Sequence, residues 1–368
     1  MNVMFLNAIE KNTFGGVEYW MVRTAAALAG RGHRVWAVGR PGSKYLRRAR
    51  DAEYDVGTIE LAISGDFNPV TIYRMRRILK ENEIDALFVS CNKDLRLGGL
   101  AARWCGKTKV FWRIGVDLTK NNTVHRRLTP KLLDGVITAS QALKDEIIRT
   151  GYLKENMITV IPNGVNAYRI NPYNPESKKQ LREKYRLPGD CRIAVSSARF
   201  VPEKGHRFLI AAAAELAVRY PDLYFLLLGD GPLENELKEQ IKELKLEPKF
   251  VFAGHLADFT LEMVGADLMI HPSTAESFGI ALLDGMRAKL PVAASAVGGI
   301  GEVVSDRETG VLFEPGKPEA IVRAVSDLLD STEKMRRYAE AGYRRWQEHF
   351  SFEKMIERIE YYIRRYAA

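Results

Sequence analysis

The sequence predicts two doubly wound, Rossmann-like α/β domains in tandem, facing a cleft. Three observations carry this prediction. The chain has 368 residues, too many for one ordinary core and enough for two. Short apolar and β-branched runs alternate with stretches of helical period, the pattern of parallel sheets covered on both faces. The alternation then restarts after Pro162-Asn163-Gly164. The expected domains are therefore 1–163 and 164–350.

In the first half, Val3–Leu6 is a buried-strand run. Gly16–Gly30 comes next, with apolar residues at Val17, Trp20, Met21, Ala25 and Leu28, a helical period that Gly32 ends. Arg34–Val38, Ala86–Ser90, Val110–Ile114, Val136–Ala139 and Ile158–Ile161 are further strands. Val70–Lys80 and Gln141–Arg149 are helices between them. A polar stretch runs from Asn171 to Asp190. Beyond it come strands at Ile193–Ser197, Leu223–Leu228, Phe250–Ala253, Leu268–Ile270, Val292–Ala294 and Val311–Phe313. The helices of this half are Arg207–Arg219, Leu233–Leu244, Gly279–Ala288 and Glu319–Leu329. Two amphipathic, aromatic-rich helices, Glu333–Phe350 and Phe352–Tyr366, close the chain, and the segment 351–368 is a candidate to pack back onto the first domain.

Composition narrows the function. At 46% hydrophobic and 27% charged residues the chain is globular rather than disordered. The longest run without Asp, Glu, Lys or Arg is 13 residues, Asn156–Tyr168, too short for a membrane-spanning helix. No basic segment leads into an apolar core at the N-terminus, so no secretory leader is predicted. Cys91, Cys105 and Cys191 form no zinc spacing and leave one over, which argues for a reducing compartment. Residues 1–163 carry 26 Lys and Arg against 16 Asp and Glu, so +10, whereas the remainder carries 29 against 30, so −1. An excess confined to one half predicts an anionic partner for that half. Its densest cluster is Lys44-Tyr45-Leu46-Arg47-Arg48-Ala49-Arg50, with Arg74, Arg76 and Arg77 further on. Neither an RNP-type basic–aromatic pattern nor a helix-turn-helix signature is present, so nucleic acid is not expected.

Chemistry in doubly wound sheets sits at strand-to-helix junctions. The first junction, Asn12-Thr13-Phe14-Gly15-Gly16-Val17-Glu18, offers two glycines and free N–H groups at a helix start, suited to a phosphate or to a plain turn. No G-x-G-x-x-G or P-loop pattern occurs. The second, Ser197 to Gly205, places Arg199 and Lys204 before a helix N-terminus, where a cation is disfavoured unless an anion joins it. The third, Gly229-Asp230-Gly231-Pro232, fits either a turn or a ligand approach. In the fourth, Glu276 falls in a loop, the N–H groups of Phe278, Gly279 and Ile280 can face a phosphate, and Asp284 lies on the next helix. The fifth, Gly298-Gly299-Ile300-Gly301, permits close backbone approach to a ligand.

Together these residues resemble the retaining glycosyltransferases of family 4, with the GT-B architecture. The resemblance spans essentially the whole chain and rests on Gly15-Gly16-Val17-Glu18, Pro162-Asn163-Gly164-Val165, Arg199 through Lys204-Gly205, Gly229-Asp230-Gly231-Pro232 and Glu276-Ser277-Phe278-Gly279. It implies that the second domain binds a UDP-, GDP- or ADP-sugar donor and the first binds the acceptor. By the same resemblance, Gly15 and Gly16 close on the donor diphosphate, and Arg199 and Lys204 neutralise it. Glu276 holds the transferred sugar, with Phe278, Gly279 and Ile280 giving backbone contacts. Asp284 takes the ribose hydroxyls, and Gly229, Asp230, Gly231, His255 and Leu256 lie near the nucleotide. The expected catalytic residues are Arg199, Lys204 and Glu276.

Two departures from the family pattern stand out. Asp284 replaces the usual Glu, and the run Val110 to Asp117 lacks a His common near the sugar, leaving Arg113 and Asp117 as acceptor-side candidates. Gly301 also stands where Pro is common. No cofactor is expected, and with two cations at the leaving group and no Asp-x-Asp motif the reaction is expected to be metal-independent. The expected acceptor is an anionic lipid-linked or saccharide precursor in lipopolysaccharide, glycolipid or polysaccharide synthesis. The expected location is cytoplasmic, with the basic domain at the anionic inner face of the membrane. A nucleotide-sugar epimerase or sucrose-type synthase on the same fold is the alternative chemistry, and a non-catalytic nucleotide- or nucleic-acid-binding protein is the alternative class.

Overall fold

The computed structural model describes residues 1–115, 123–168 and 174–367. The chain divides into two compact units, Met1–Pro162 with Met355–Ala368, and Asn163–Lys354.

The first unit runs β1 (Asn2–Asn7), α1 (Gly16–Gly30), β2 (Arg34–Gly39), α2 (Lys44–Arg50), β3 (Gly57–Glu60), α3 (Pro69–Glu81), β4 (Ala86–Val89), α4 (Asn92–Cys105), β5 (Lys109–Ile114), α5 (Thr123–Leu132), β6 (Gly135–Thr138), α6 (Gln141–Arg149) and β7 (Ile158–Val160). Its seven strands are ordered β3-β2-β1-β4-β5-β6-β7. All pairs are parallel, with Val3 of β1 opposite Val35 on one side and Ala86 on the other. β1 and β4 are buried along their whole length, which is why they read as unbroken apolar runs.

Four elements of this unit, β3, α2, α4 and α5, lie outside the predicted set. β3 is a short, half-buried edge strand with no clear alternation. α2 reads as a basic cluster, but Ser43 Oγ caps it by accepting from Leu46 N at 3.3 Å, and Tyr45, Leu46 and Ala49 form a buried inner face. α4 is hidden by Gly98 and Gly99, which lower helix propensity. Gly98 is there because the helix lies on the sheet, where a Cβ would come within 2.8 Å of Leu87 and 2.9 Å of Leu6, and Gly99 because α5 crosses it, where a Cβ would come within 2.8 Å of Leu132.

The second unit runs α7 (Pro175–Lys184), β8 (Arg192–Ser197), α8 (His206–Arg219), β9 (Leu223–Leu228), α9 (Glu234–Glu243), β10 (Phe250–Gly254), α10 (Thr260–Gly265), β11 (Leu268–His271), α11 (Ile280–Arg287), β12 (Val292–Ser295), α12 (Ile300–Val303), β13 (Val311–Phe313), α13 (Pro318–Leu329) and α14 (Thr332–Arg345). Its six parallel strands are ordered β10-β9-β8-β11-β12-β13. Within the polar stretch 171–190 the structure forms α7, which Asn174 caps through its side-chain oxygen to Glu176 N at 3.1 Å. The expected helix Glu333–Phe350 is α-helical only to Arg345. It ends in one π-turn, Trp346–Phe350, which buries Trp346 and Phe350.

The last helix, α15 (Phe352–Ala367), belongs to the first unit from Met355 onward. Met355, Ile356, Ile359, Tyr362 and Ile363 form its buried stripe at helical spacing. Tyr362 meets Phe111 of β5 edge-on with ring centroids 5.1 Å apart. Glu360 receives Arg31 and His33, each at 3.1 Å, and hydrogen bonds from Arg364 and from these two groups hold its carboxyl down at about 2.

Candidate active site

Each sheet reverses its strand order once, and ligands of doubly wound sheets bind outside the carboxyl ends of the strands at that reversal. In the second unit the reversal lies between β8 and β11. The loops leaving these strands are bound to each other. Thr274 N donates to Glu203 O at 2.8 Å, and Lys204 Nζ donates to Glu276 Oε2 at 2.6 Å. Gly205 makes the approach possible, since its φ is +69° and a Cβ there would lie 2.0 Å from Pro272 O. Two expected catalytic residues are therefore one ion pair, half-closed from water. The loops that carry them are 71 residues apart in sequence at the Thr274–Glu203 contact.

Glu276 is flanked by His271 Nε2 at 3.4 Å, and that nitrogen lies 3.0 Å from Ser273 Oγ. Burial raises the Glu276 carboxyl, but the His271 hydrogen bond and the Lys204 ammonium outweigh it and hold the group at about 2. Glu276 is thus a carboxylate at any working pH. Arg199 is exposed and has no ion-pair partner among the described residues. It lines a cavity of about 360 Å³ with Ser197, Leu228, Asp230, His255 and Phe259, and Ala198, Gly229 and Leu256 complete the wall.

The glycines of the third junction serve the protein's own backbone. Cβ atoms at Gly229 and Gly231 would come within 2.2 Å of Ala198 O and 2.4 Å of Phe200 O, so these residues fix the loop that presents Arg199. Gly298 of the fifth junction likewise meets the Glu276 carbonyl rather than open space. Its φ is +53°, and a Cβ would lie 1.8 Å from that oxygen.

Gly279, at φ +92°, caps α11 and precedes Ile280, which is 45% exposed. The first N–H groups of α11 have no intrahelical acceptor, as at any helix start. Phe278 is buried and packs its ring against Phe350 at 5.9 Å. Asp284 is nearly buried and ion-paired with Arg287 at 2.6 Å, and the Arg287 guanidinium lies 3.6 Å from the centre of the Tyr168 ring. Asp284 does not line the Arg199 cavity. The only signal for Arg287 in the sequence is its i, i+3 spacing from Asp284.

In the first unit the reversal lies between β1 and β4. Two buried acids organise it. Asp94 accepts from Ala8 N at 2.6 Å, Ser90 Oγ at 3.0 Å and Cys91 N at 3.1 Å, while burial pushes its carboxyl up. Glu18 accepts from Gly15 N at 2.8 Å and Asn7 Nδ2 at 3.1 Å. The glycine loop is thereby held with Gly16 facing open space. Glu18 and Asp94 each occupy the third position of a helix, an acid position that a capping-box search detects. Arg113 is the penultimate residue of β5, only 6% exposed, with its guanidinium 5.1 Å from the Trp20 ring centre; burial pulls it down to about 10. Asp117 lies outside the described residues.

Two family models match the chain, "Glycosyltransferase Family 4" over residues 14–169 and "Glycosyl transferases group 1" over residues 177–345. The chain belongs to glycosyltransferase family 4. A GDP-mannose-dependent monoacylated alpha-(1-6)-phosphatidylinositol monomannoside mannosyltransferase of Corynebacterium glutamicum is 24% identical over 303 residues, 79% of each chain. Among solved structures, a glycosyltransferase of Rickettsia africae superposes with a TM-score of 0.86 at 23% identity over 99% of this chain and 98% of its own. Anabaena HepE in complex with UDP and glucose gives 0.81 at 22% identity over 99% of both. These likenesses place the fold, two parallel sheets of seven and six strands with flanking helices, in the GT-B class.

Two outcomes are expected of this family 4 glycosyltransferase. Gly298→Ala forces a Cβ onto the Glu276 carbonyl and strains a left-handed backbone, so it should cost roughly 1–3 kcal/mol of stability, read from chemical denaturation. His206, the first residue of α8, is buried, packs edge-on against Phe200 with ring centroids 4.9 Å apart, and has both ring nitrogens unpartnered. Burial, His271 and Lys204 lower it to about 4. A depressed His favours the folded state fully above its unfolded value near 6.5, and that advantage fades as pH falls toward 4. Wild type should therefore lose about 2 kcal/mol of stability relative to His206→Gln between pH 7.5 and pH 5. A gap that does not change with pH would contradict this.

Proposed function

We infer that the protein transfers a sugar from a nucleoside diphosphate donor to an acceptor hydroxyl with retention of anomeric configuration and without a metal ion. The observation that carries this reading is the Lys204–Glu276 pair at the strand-order reversal, with Arg199 exposed on the same β8 loop as Lys204 and without an ion-pair partner among the described residues. Departure of a nucleoside diphosphate builds negative charge, and two fixed cations stabilise it as it develops. Lys204 has three donors and spends one on Glu276, so two are free for phosphate oxygens. Glu276, fixed as a carboxylate, accepts from sugar hydroxyls. Phe278, Gly279 and Ile280 offer backbone N–H groups, and the Arg199 cavity, with Asp230, His255 and Leu256 in its wall, suits the nucleoside. Asp284, paired with Arg287 on α11, takes the ribose hydroxyls.

In the reaction the anomeric carbon's bond to the leaving phosphate oxygen breaks. The acceptor oxygen bonds to that carbon on the same face, and the acceptor proton passes to the departing phosphate. Both the Corynebacterium relative, by its name, and the Anabaena neighbour, by its ligands, use nucleoside diphosphate chemistry. The relative's name also specifies a phosphatidylinositol monomannoside, which accords with an anionic, lipid-linked acceptor presented to the basic first unit at the cytoplasmic membrane face. Arg113, at the carboxyl end of β5, is the acceptor-side cation of that unit.

The test is turnover of UDP-, GDP- and ADP-sugars with a lipid-extract acceptor, with the product anomer read by NMR. An α-linked product from an α-donor is expected. A β-linked product overturns retention, and release of free epimerised sugar with no acceptor present favours the epimerase reading.

A further inference from the structure

The first unit carries an excess of positive charge, and its two most basic helices expose different surfaces. On α2 the apolar residues Tyr45, Leu46 and Ala49 are each about 1% exposed, so the helix itself exposes only arginine and lysine, and the ring beside them, Phe14 at 5.9 Å from Lys44 Nζ, is half-buried. On α3 the arrangement is the reverse. Ten large apolar or aromatic side chains are exposed among the described residues, and four of them, Phe67, Val70, Tyr73 and Trp104, belong to α3, its entry and the adjoining end of α4. They are continuous. Val70 and Tyr73 are one helical turn apart, Phe67 precedes them by three residues, and the Tyr73 and Trp104 ring centroids are 6.0 Å apart. Of the five tryptophans, Trp104 is the exposed one, at 57%.

Cations frame this patch. Arg76 lies over the Trp104 ring at 4.7 Å, and its buried Nε has no hydrogen-bond partner. Arg74 is exposed beside Tyr73 and has no ion-pair partner among the described residues; the same holds for Lys80 at the end of α3 and Lys107 just beyond Trp104. Aromatic rings that stand in water next to unpaired cations match one kind of surface. The interface of an anionic bilayer takes amphipathic rings at headgroup depth and attracts each cation by roughly 1 kcal/mol.

We propose that the α3–α4 face, with Tyr73 and Trp104 as its inserted rings and Arg74 and Arg76 as its headgroup contacts, is the membrane-docking surface of this protein. The inference rests on the membrane-surface part of the proposed function and not on its transfer chemistry. Docking by α2 would be electrostatic alone and would vanish in moderate salt. Docking by α3–α4 has an apolar component and survives it.

The experiment is sedimentation of the full chain with phosphatidylcholine vesicles, with and without phosphatidylglycerol, and with tryptophan emission measured against bromolipid quenching. Wild type should bind the phosphatidylglycerol vesicles, with a blue-shifted and quenched component of the emission that Trp104→Phe removes. Arg74→Glu should weaken binding roughly thirtyfold, because it changes two charges. The double variant Tyr73→Ser/Trp104→Ser should lose binding in moderate salt. Arg47→Glu/Arg48→Glu on α2 should lose far less than either. Equal losses from the α2 and α3–α4 variants, no binding by wild type, or a wild-type dimer that Trp104→Ser dissociates would each overturn the proposal. Thermal stabilisation by nucleoside diphosphates in the same variants separates the two claims: it should be unchanged by every substitution on α3 and α4, and it would fail on its own if the donor-site reading were wrong.

Discussion

Lys204→Ala should lower kcat by roughly a hundred- to a thousandfold, the cost of removing one preorganised charge from a developing anion. The geometry makes this residue more than a surface cation. Its ammonium is 2.6 Å from Glu276, its side chain is only 23% exposed, and the loop that bears it is tied to the β11 loop through Thr274 and the close passage at Gly205. Removing it also leaves Glu276 with its negative charge next to the departing diphosphate. Arg199→Ala acts on the same anion without that second penalty, because Arg199 has no carboxylate to strand, so its loss should fall at the lower end of the range. Steady-state kinetics on the accepted donor check both. A rise in KM with kcat unchanged would mean that these groups only bind the ground state.

Glu276→Ala is expected to remove about a thousandfold or more of kcat, since it deletes the acceptor of the sugar hydroxyls and frees Lys204 from its position. Glu276→Gln keeps the shape and removes the charge, so it separates the two contributions. With its carboxyl held at about 2, Glu276 contributes nothing to the pH–rate profile above about pH 4. Any limb in the neutral range must come from another group, and it should persist in Glu276→Gln. The stability that Glu276 gains from Lys204 and His271 is present above its unfolded value near 4.5 and is lost as pH falls toward 2. Acid unfolding of wild type and Glu276→Gln should therefore converge at the acid end. Curves that run parallel from pH 5 to pH 2 would contradict the assignment.

Apart from β3, the strands of both sheets and the loops between them were legible in the sequence, because buried parallel strands read as apolar runs and glycines punctuate the loops that leave them. β3 and α4 were not, for opposite reasons: β3 is too short and too exposed to alternate, and α4 carries glycines where close packing on Leu6, Leu87 and Leu132 demands them. At the site, residue types at the junctions pointed to Arg199, Lys204 and Glu276, but not to the fact that two of them are paired. That contact joins loops distant in sequence, and only the strand-order reversal brings them together. The glycines were read in kind but not in partner, since Gly229, Gly231 and Gly298 yield space to carbonyls of the neighbouring loops. Arg287 against Asp284, and the buried anchors Asp94 and Glu18, needed tertiary contacts to emerge.

The central claim is that Arg199 and Lys204 form the diphosphate subsite of a nucleotide-sugar enzyme. Thermal unfolding with UDP, GDP and ADP, each in large excess, tests it most directly. A ligand at a hundred times its Kd stabilises the folded state by about 2.7 kcal/mol. One nucleoside diphosphate should raise the wild-type Tm by several degrees, name the donor base, and lose its effect in both Arg199→Ala and Lys204→Ala. A full shift retained in both variants would place the diphosphate elsewhere and contradict the account.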